Sequence, residues 1–339
     1  MNHQRPHAPL ATGSALRRRT VLAAAASATA SLAAPSILQA QERWPSRPVT
    51  VVSPYNPGGT NDVVARLVAD RLQKALGQPF VIENKPGAAG VVGTQAVMRA
   101  KPDGYTLLSA NNGALVIQSA GRDPSPYDGA RQFTPIMKVV DAAQFIAVSS
   151  DLPVQTVGEL IALARKEPGK LNFSSAGVGS YGHFVGEYLK LLTGTELLHV
   201  PSKGSAAALT EMMAHRIQMM IDPIVLTQAS DGRIRVLATL NSRRVETHPQ
   251  IPTITESGGP AVDLAGWFGL VGPVGLPDEV VERIAAVGKE IVNDPDARKQ
   301  FAGSGLLPSL LTGKAFGDLI KADLVKVADV RTRAKIQLE

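Results

Sequence analysis

The chain has 339 residues, enough for about two domains. It is 44% hydrophobic and 19% charged, so it reads as globular with a sizeable core. The lack of cysteine excludes disulfides, thiolate metal sites, cysteine nucleophiles and a lipid-modified N-terminal cysteine.

In chain order, the first feature is a basic stretch, Arg17-Arg18-Arg19, followed by a small apolar run from Val21 to Ala34. That is the pattern of an export signal over 1–40, too short to span a bilayer, with cleavage expected near Ala40. Arg18-Arg19-Thr20-Val21-Leu22 also fits a loose twin-arginine signal. Residues 1–40 hold four arginines and no acid, so their removal lowers the formal net charge from +6 to +2. No basic run with interleaved aromatics remains, which argues against a nucleic-acid partner. The mature protein is expected to be soluble, monomeric and periplasmic.

A repeating unit then follows: short apolar strand, Gly/Ser/Asn turn, amphipathic helix. Strand 48–52 enters "SPYNPGGTND" and leaves through a helix over about 61–76, ended by Gly77. Strand 80–82 enters "ENKPGAAGVVG" and a helix to about Ala100; strand 105–108 enters "SANNGA". A Pro/Gly-bearing stretch over 121–135 connects onward to strand 145–148. Thr156 and Glu159 have capping-box spacing at a helix start. Strand 171–173 leads to "SSAGVGSYGH", strand 197–200 to "PSKGSA", and strand 217–221 to Asp222-Pro223. Another strand is read around 267–271, and the tail is mainly helical, over about 278–292, 295–302 and 313–330. The alternation predicts an α/β fold with parallel-rich sheets flanked by helices. Ligands in such sheets bind beyond the carboxyl ends of the strands, where the Gly-rich turns fall.

A turn without side-chain bulk lets main-chain N–H groups approach a ligand. The helix behind it adds unpaired N–H groups and partial positive charge, so the pair makes an anion site. Thr60 and Asn61 can cap that helix or touch the ligand. Asp62 lies in the first turn, where a carboxylate either serves the helix dipole or contacts the ligand. "NPGGTND" has neither the lysine of a phosphate loop nor an arginine fork, so a carboxylate fits better than a polyphosphate. Gly177-Val178-Gly179-Ser180-Tyr181-Gly182 matches a dinucleotide fingerprint, but no acid ends the next strand to hold a ribose. It reads instead as a second anion-facing turn, with Ser174, Ser175 and Ser180 supplying hydroxyls. No G-x-S-x-G or H-E-x-x-H is present. His183 and Glu187 could share a metal, but two ligands do not make a site. His183 reads as a polar residue at the cleft edge, and no cofactor or metal is implied.

Seven segments, "WPSRPVTVVSPYNPGGTNDVVARLVADRL", "ENKPGAAGVVGTQAV", "KPDGYTLL", "FTPI", "GKLNFSSAGVGSYGHFVGEYLKLLTG", "HVPSKGSAAALTEMMAHRIQMMID" and "WFGLVGPVGLP", occur in this order over about residues 43–339. The series resembles the periplasmic substrate-binding receptors of tripartite tricarboxylate transporters, the Bug receptors. The resemblance implies a two-lobed periplasmic binding protein of the Venus-flytrap, type II-like kind, closing on a small carboxylate. It places 43–145 and 250–339 in one lobe and 146–249 in the other. Carried over by position, the ligand-binding residues are Tyr55, Asn56, Gly58, Gly59, Thr60 and Asp62 on the first-lobe turn, with Asn111 and its neighbour Asn112 facing the ligand in their own way. On the second lobe they are Ser174, Ser175, Gly177, Gly179, Ser180 and His183, then Lys203 and Gly204, with Asp222 nearby. Ser202 stands where the family usually carries an aromatic. The implied ligand is a small organic acid or amino-acid carboxylate, and the implied partner is a two-component membrane permease or a sensor protein. The rival reading is an exported enzyme using His183, Asp62 or Glu187 as acid or base.

Overall fold

The computed structural model describes residues 1–2 and 43–334. Apart from Met1 and Asn2, the expected export signal and its cleavage point lie outside the described residues. No described helix is long and apolar enough to cross a membrane. From Trp44 onward the chain forms one compact unit built on two sheets.

The strands are β1 (Val49–Ser53), β2 (Phe80–Asn84), β3 (Thr106–Asn111), β4 (Phe133–Ala142), β5 (Phe145–Ser149), β6 (Asn172–Ser175), β7 (Leu198–Pro201), β8 (Met219–Ile221), β9 (Ile234–Thr239), β10 (Gly266–Pro273) and β11 (Leu306–Thr312). The helices are α1 (Thr60–Leu76), α2 (Val91–Met98), α3 (Val157–Lys166), α4 (Tyr181–Thr193), α5 (Ser205–Met213), α6 (Asp278–Asn293), α7 (Pro295–Ala302) and α8 (Gly313–Ala334). The first sheet has the order β11-β4-β10-β3-β1-β2, and the second β7-β6-β8-β5-β9. The chain passes between them twice, from β4 into β5 and from β9 towards β10.

Both sheets are mixed. β1 pairs in parallel with β2 and β3, and β6 with β7 and β8, where strand–turn–helix units force a crossover. The pairs β3–β10, β4–β10, β4–β11, β5–β8 and β5–β9 run antiparallel. Alternation along β1 buries both faces: Val49 and Val51 pack with Leu67, Leu72, Ile284 and Phe301, while Val52 packs with Leu108, Leu115 and Phe316. A separate cluster around Phe145, Met212 and Met220 covers one face of the second sheet. The expected helix starts hold. Thr156 Oγ1 accepts the Glu159 N–H at 3.1 Å, and Gly77, left-handed at φ +75°, ends α1 by returning its N–H to the Gln73 carbonyl.

Two strands were not expected from the sequence. β4 begins inside the stretch read as a connector, because Pro135 looks like a breaker. β11 lies in the tail read as helical and carries Pro308. β11 is an edge strand, and its register with β4 breaks between Pro308 and Leu311, where a missing N–H is tolerated.

Candidate functional site

A cavity of about 350 Å³ opens between the two sheets. The starts of three helices meet at it: Gly59, Thr60 and Asn61 of α1, Ser180, Tyr181 and Gly182 of α4, and Gly204, Ser205 and Ala206 of α5. No side chain caps α1 or α5, whose flanking residues Gly59 and Gly204 carry none. Both helices thus begin at the cavity wall with leading N–H groups that no side chain caps, and their dipoles place partial positive charge there. Ser180 Oγ accepts the His183 N–H of α4 at 3.4 Å.

The first turn is braced from below. Ser53 Oγ donates to Asn61 Oδ1 at 2.8 Å, and Asn61 Nδ2 donates to the Ser109 carbonyl at 3.1 Å. Gly58 is left-handed at φ +84°, and its N–H donates to Asp62 Oδ2 at 3.0 Å. Asp62 also receives Arg66 Nε at 2.8 Å and Asn84 Nδ2 at 2.9 Å. Burial pushes the Asp62 carboxyl up, but Arg66, Asn84 and the Gly58 N–H outweigh it and hold it below its usual range.

Asp222 is the one acid among the lining residues and Lys203 the one cation. Asp222 Oδ1 accepts from Thr60 Oγ1 at 3.1 Å and the Ile224 N–H at 2.9 Å, and Oδ2 from Ser205 Oγ at 2.6 Å. Burial raises its carboxyl above the usual range, and the three donors offset this only in part. Lys203 is exposed. Tyr55, Tyr181, Trp267 and Phe268 give the cavity apolar walls, and Asn111, Asn112 and Gln144 add amides. Tyr55 Oη donates to Asn111 Oδ1 at 3.3 Å, which also accepts the Ala114 N–H at 2.8 Å. Direct hydrogen bonds cross the cleft: Thr60 to Asp222, and Gln118 Nε2 to the Gly179 carbonyl at 2.7 Å.

Of the residues expected to bind ligand, Tyr55, Asn56, Gly59, Thr60, Asn111, Ser180, Lys203, Gly204 and Asp222 line this cavity. Gly58, Asp62, Ser174, Ser175, Gly177, Gly179 and His183 do not. Ser174 Oγ donates to the Val200 carbonyl at 2.7 Å, and Ser175 Oγ is taken up by Gly177 and His199. Gly177 lines a neighbouring opening beside Gly87 and Ala88. His183 is buried, its Nδ1 accepting the Gly179 N–H at 3.0 Å while its ring stacks on His199 at 3.8 Å. It braces the turn from within, whereas the sequence reading put it at the cleft edge. Glu187 is held by Lys190 at 2.8 Å.

Sequence reasoning missed Ala142, Gln144 and the Gly266 to Phe268 wall. Antiparallel pairing of Phe268 with Asn111 brings that wall to the end of β3. No local pattern announces it; the only signal for it is that ligands gather beyond strand ends.

The model of the "Tripartite tricarboxylate transporter family receptor" matches residues 64–331. The chain is 32% identical to Rpa4515 of R. palustris, solved with adipate, covering 86% of this chain and 99% of that one with a TM-score of 0.82. It is 30% identical to the periplasmic binding protein BugD, covering 87% and 99% with a TM-score of 0.80. It is 27% identical to MatC (Rpa3494) from Rhodopseudomonas palustris, solved with bound malate, covering 85% and 99% with a TM-score of 0.80. With two mixed sheets, a cleft between them and this family match over most of its length, the chain belongs to the receptor family of tripartite tricarboxylate transporters, the periplasmic Bug proteins.

Proposed function

We propose that this protein is a periplasmic receptor that closes two lobes on a small carboxylate and presents it to a membrane permease. The observation that carries the reading is the meeting of helix starts from both lobes on one cavity, with two of them uncapped. Such an array neutralises an anion through fixed main-chain donors. The adipate and malate of the two solved relatives support a dicarboxylate of similar size. The lobes are proposed as 43–145 with 250–339, and 146–249, with residues 1–40 removed near Ala40 on export. The ligand contacts are proposed to be the cavity-lining members of the expected set, chiefly Gly59, Thr60, Asn111, Ser180, Lys203, Gly204 and Asp222. The remaining members shape the turns from behind. Contacts from both lobes are complete only when the cleft is closed, so ligand shifts the population toward that form.

Thermal unfolding of the mature protein with and without adipate, malate and a wider acid panel tests this. Ligand at about 100 times its dissociation constant adds about 2.7 kcal/mol. In a chain of this size that raises the midpoint by roughly 4 °C. No shift with any acid overturns the reading, and steady consumption of the acid favours an enzyme. Co-purification with the permease rather than a sensor kinase identifies the output.

A further inference from the structure

Two hydrogen bonds join the far wall of the cavity to the C-terminal helix α8, and a third ties the wall together. Asp323 Oδ2 accepts Asn112 Nδ2 at 2.9 Å and Trp267 Nε1 at 2.8 Å. Asn112 Oδ1 accepts the Trp267 main-chain N–H at 2.6 Å. The Trp267 ring also meets Phe316 of α8 edge-on at 5.0 Å. Asn112 and Trp267 are buried and both line the cavity; Asp323 does not. Among the described residues Asp323 makes no ion pair, so it is not explained as half of a salt bridge.

The network fixes the Asn112 amide in one sense. The Trp267 N–H requires an acceptor and the Asp323 carboxylate requires a donor, so Oδ1 and Nδ2 cannot exchange. One Nδ2 hydrogen is spent on Asp323, and the second has no partner among the described residues. The indole is held at its main-chain N–H, its ring nitrogen and its ring edge. A side chain held this way presents a preformed donor to a ligand without ordering it during binding.

The geometry points to Asp323 as a positioning residue for the acid site: it fixes Asn112 and Trp267 as one rigid wall, leaving an oriented amide hydrogen for the ligand. This rests on the carboxylate-receptor reading for its consequence in binding, but the fixing of the wall is measurable without ligand.

The test uses the full mature chain with Asp323→Leu and Asp323→Asn. Asparagine can offer one oxygen in the same place and keep both bonds; leucine keeps the bulk and removes them. The protein has two tryptophans, so ¹⁵N-labelled samples give two indole N–H signals. In ligand-free protein, Asp323→Leu is expected to shift the Trp267 signal and speed its solvent exchange, while Asp323→Asn preserves both. With adipate as the probe, Asp323→Leu is expected to weaken binding about tenfold or more, and Asp323→Asn by less than about threefold. Should Asp323→Leu not fold, Asp323→Ser is read the same way. An unchanged indole signal in the leucine variant overturns the proposal. So does a leucine variant with a displaced indole and wild-type affinity, since that makes the contact a tether for α8 alone. Wild-type protein that binds no acid of the wider panel refutes the receptor reading and with it the claim on binding, while the indole signal still decides whether Asp323 fixes the wall.

Discussion

Gly58 and Gly59 are adjacent and do different work. Gly58 is left-handed at φ +84°, which costs an L-residue about 1–2 kcal/mol. Gly59 is extended at φ −79° and ψ 169°, a conformation any residue adopts. A β-carbon on Gly59 has room, lying 4.0 Å from the Ser205 β-carbon across the cleft, but the methyls of valine reach into that gap. Gly58→Ala is therefore expected to lower the melting midpoint by several degrees with a modest effect on acid binding. Gly59→Val is expected to leave the midpoint nearly unchanged and weaken acid binding by about tenfold or more. Calorimetry of both variants checks the pair, and equal losses of stability and binding in Gly59→Val refute the division. The turn was legible in the sequence because paired glycines between a strand and a helix strip the backbone of cover where N–H groups are unpaired. Asp62 stayed ambiguous, because an acid in a first turn suits a helix dipole and a ligand alike. The answer came from Asn84 at the end of β2, which parallel pairing carries to Asp62 and no local pattern foretells.

The turn between β6 and α4 depends on two histidines beneath it. His183 Nδ1 takes the Gly179 N–H, and His199 Nε2 meets Ser175 Oγ at 2.8 Å. Burial, then the charge of Lys190, pushes His183 down to about 4; burial, His183 and Lys190 push His199 down to about 3. Glu187 Oε1 is 3.9 Å from His183 Nε2 and would favour the charged form, but Lys190 occupies it. Both rings are neutral in the folded protein at neutral pH. The unfolded chain takes up protons near pH 6.5, the folded one only near 4 and below, so this stability is complete above about pH 6.5 and is lost as pH falls toward 4. Protonating His183 Nδ1 also removes the acceptor for Gly179. The midpoint is expected to fall between pH 6.5 and 4, and His183→Leu to flatten that fall while lowering stability at pH 7 by about 1–3 kcal/mol. A His183→Leu profile parallel to wild type places the acid sensitivity elsewhere. The alternation of strand, glycine turn and helix announced this element. That its histidine faces inward was not readable, because burial is set by Phe173 and His199 on neighbouring strands.

At the scale of the whole molecule, helix-flanked sheets with parallel pairing were readable from repeated strand–turn–helix units, and the two-lobed plan came from the resemblance to the receptor family. The walls that close the cleft were not, since β4 and β10 join the units by antiparallel pairing across long sequence separations. Direct contacts span the cleft. Thr60 Oγ1 at the start of α1 donates to Asp222 Oδ1, whose other donors, Ser205 and Ile224, follow strands of the second sheet. Asp222 is half-buried and no ion pair balances it among the described residues, so a donor arriving across the cleft is worth more than one at the surface. A hydrogen bond to a charged group contributes about 1.5–3 kcal/mol net, and this one spans the cleft. Thr60→Val keeps the shape of the side chain and removes the donor. Apparent affinity scales with the fraction of protein in the competent form, so the variant is expected to bind adipate about tenfold more weakly. Small-angle scattering is expected to show a larger radius for ligand-free Thr60→Val than for wild type, with the two converging at saturating adipate. If the radii agree without ligand while affinity still falls, Thr60 acts on the acid directly and the cleft is held shut by other contacts, Gln118 to Gly179 first among them.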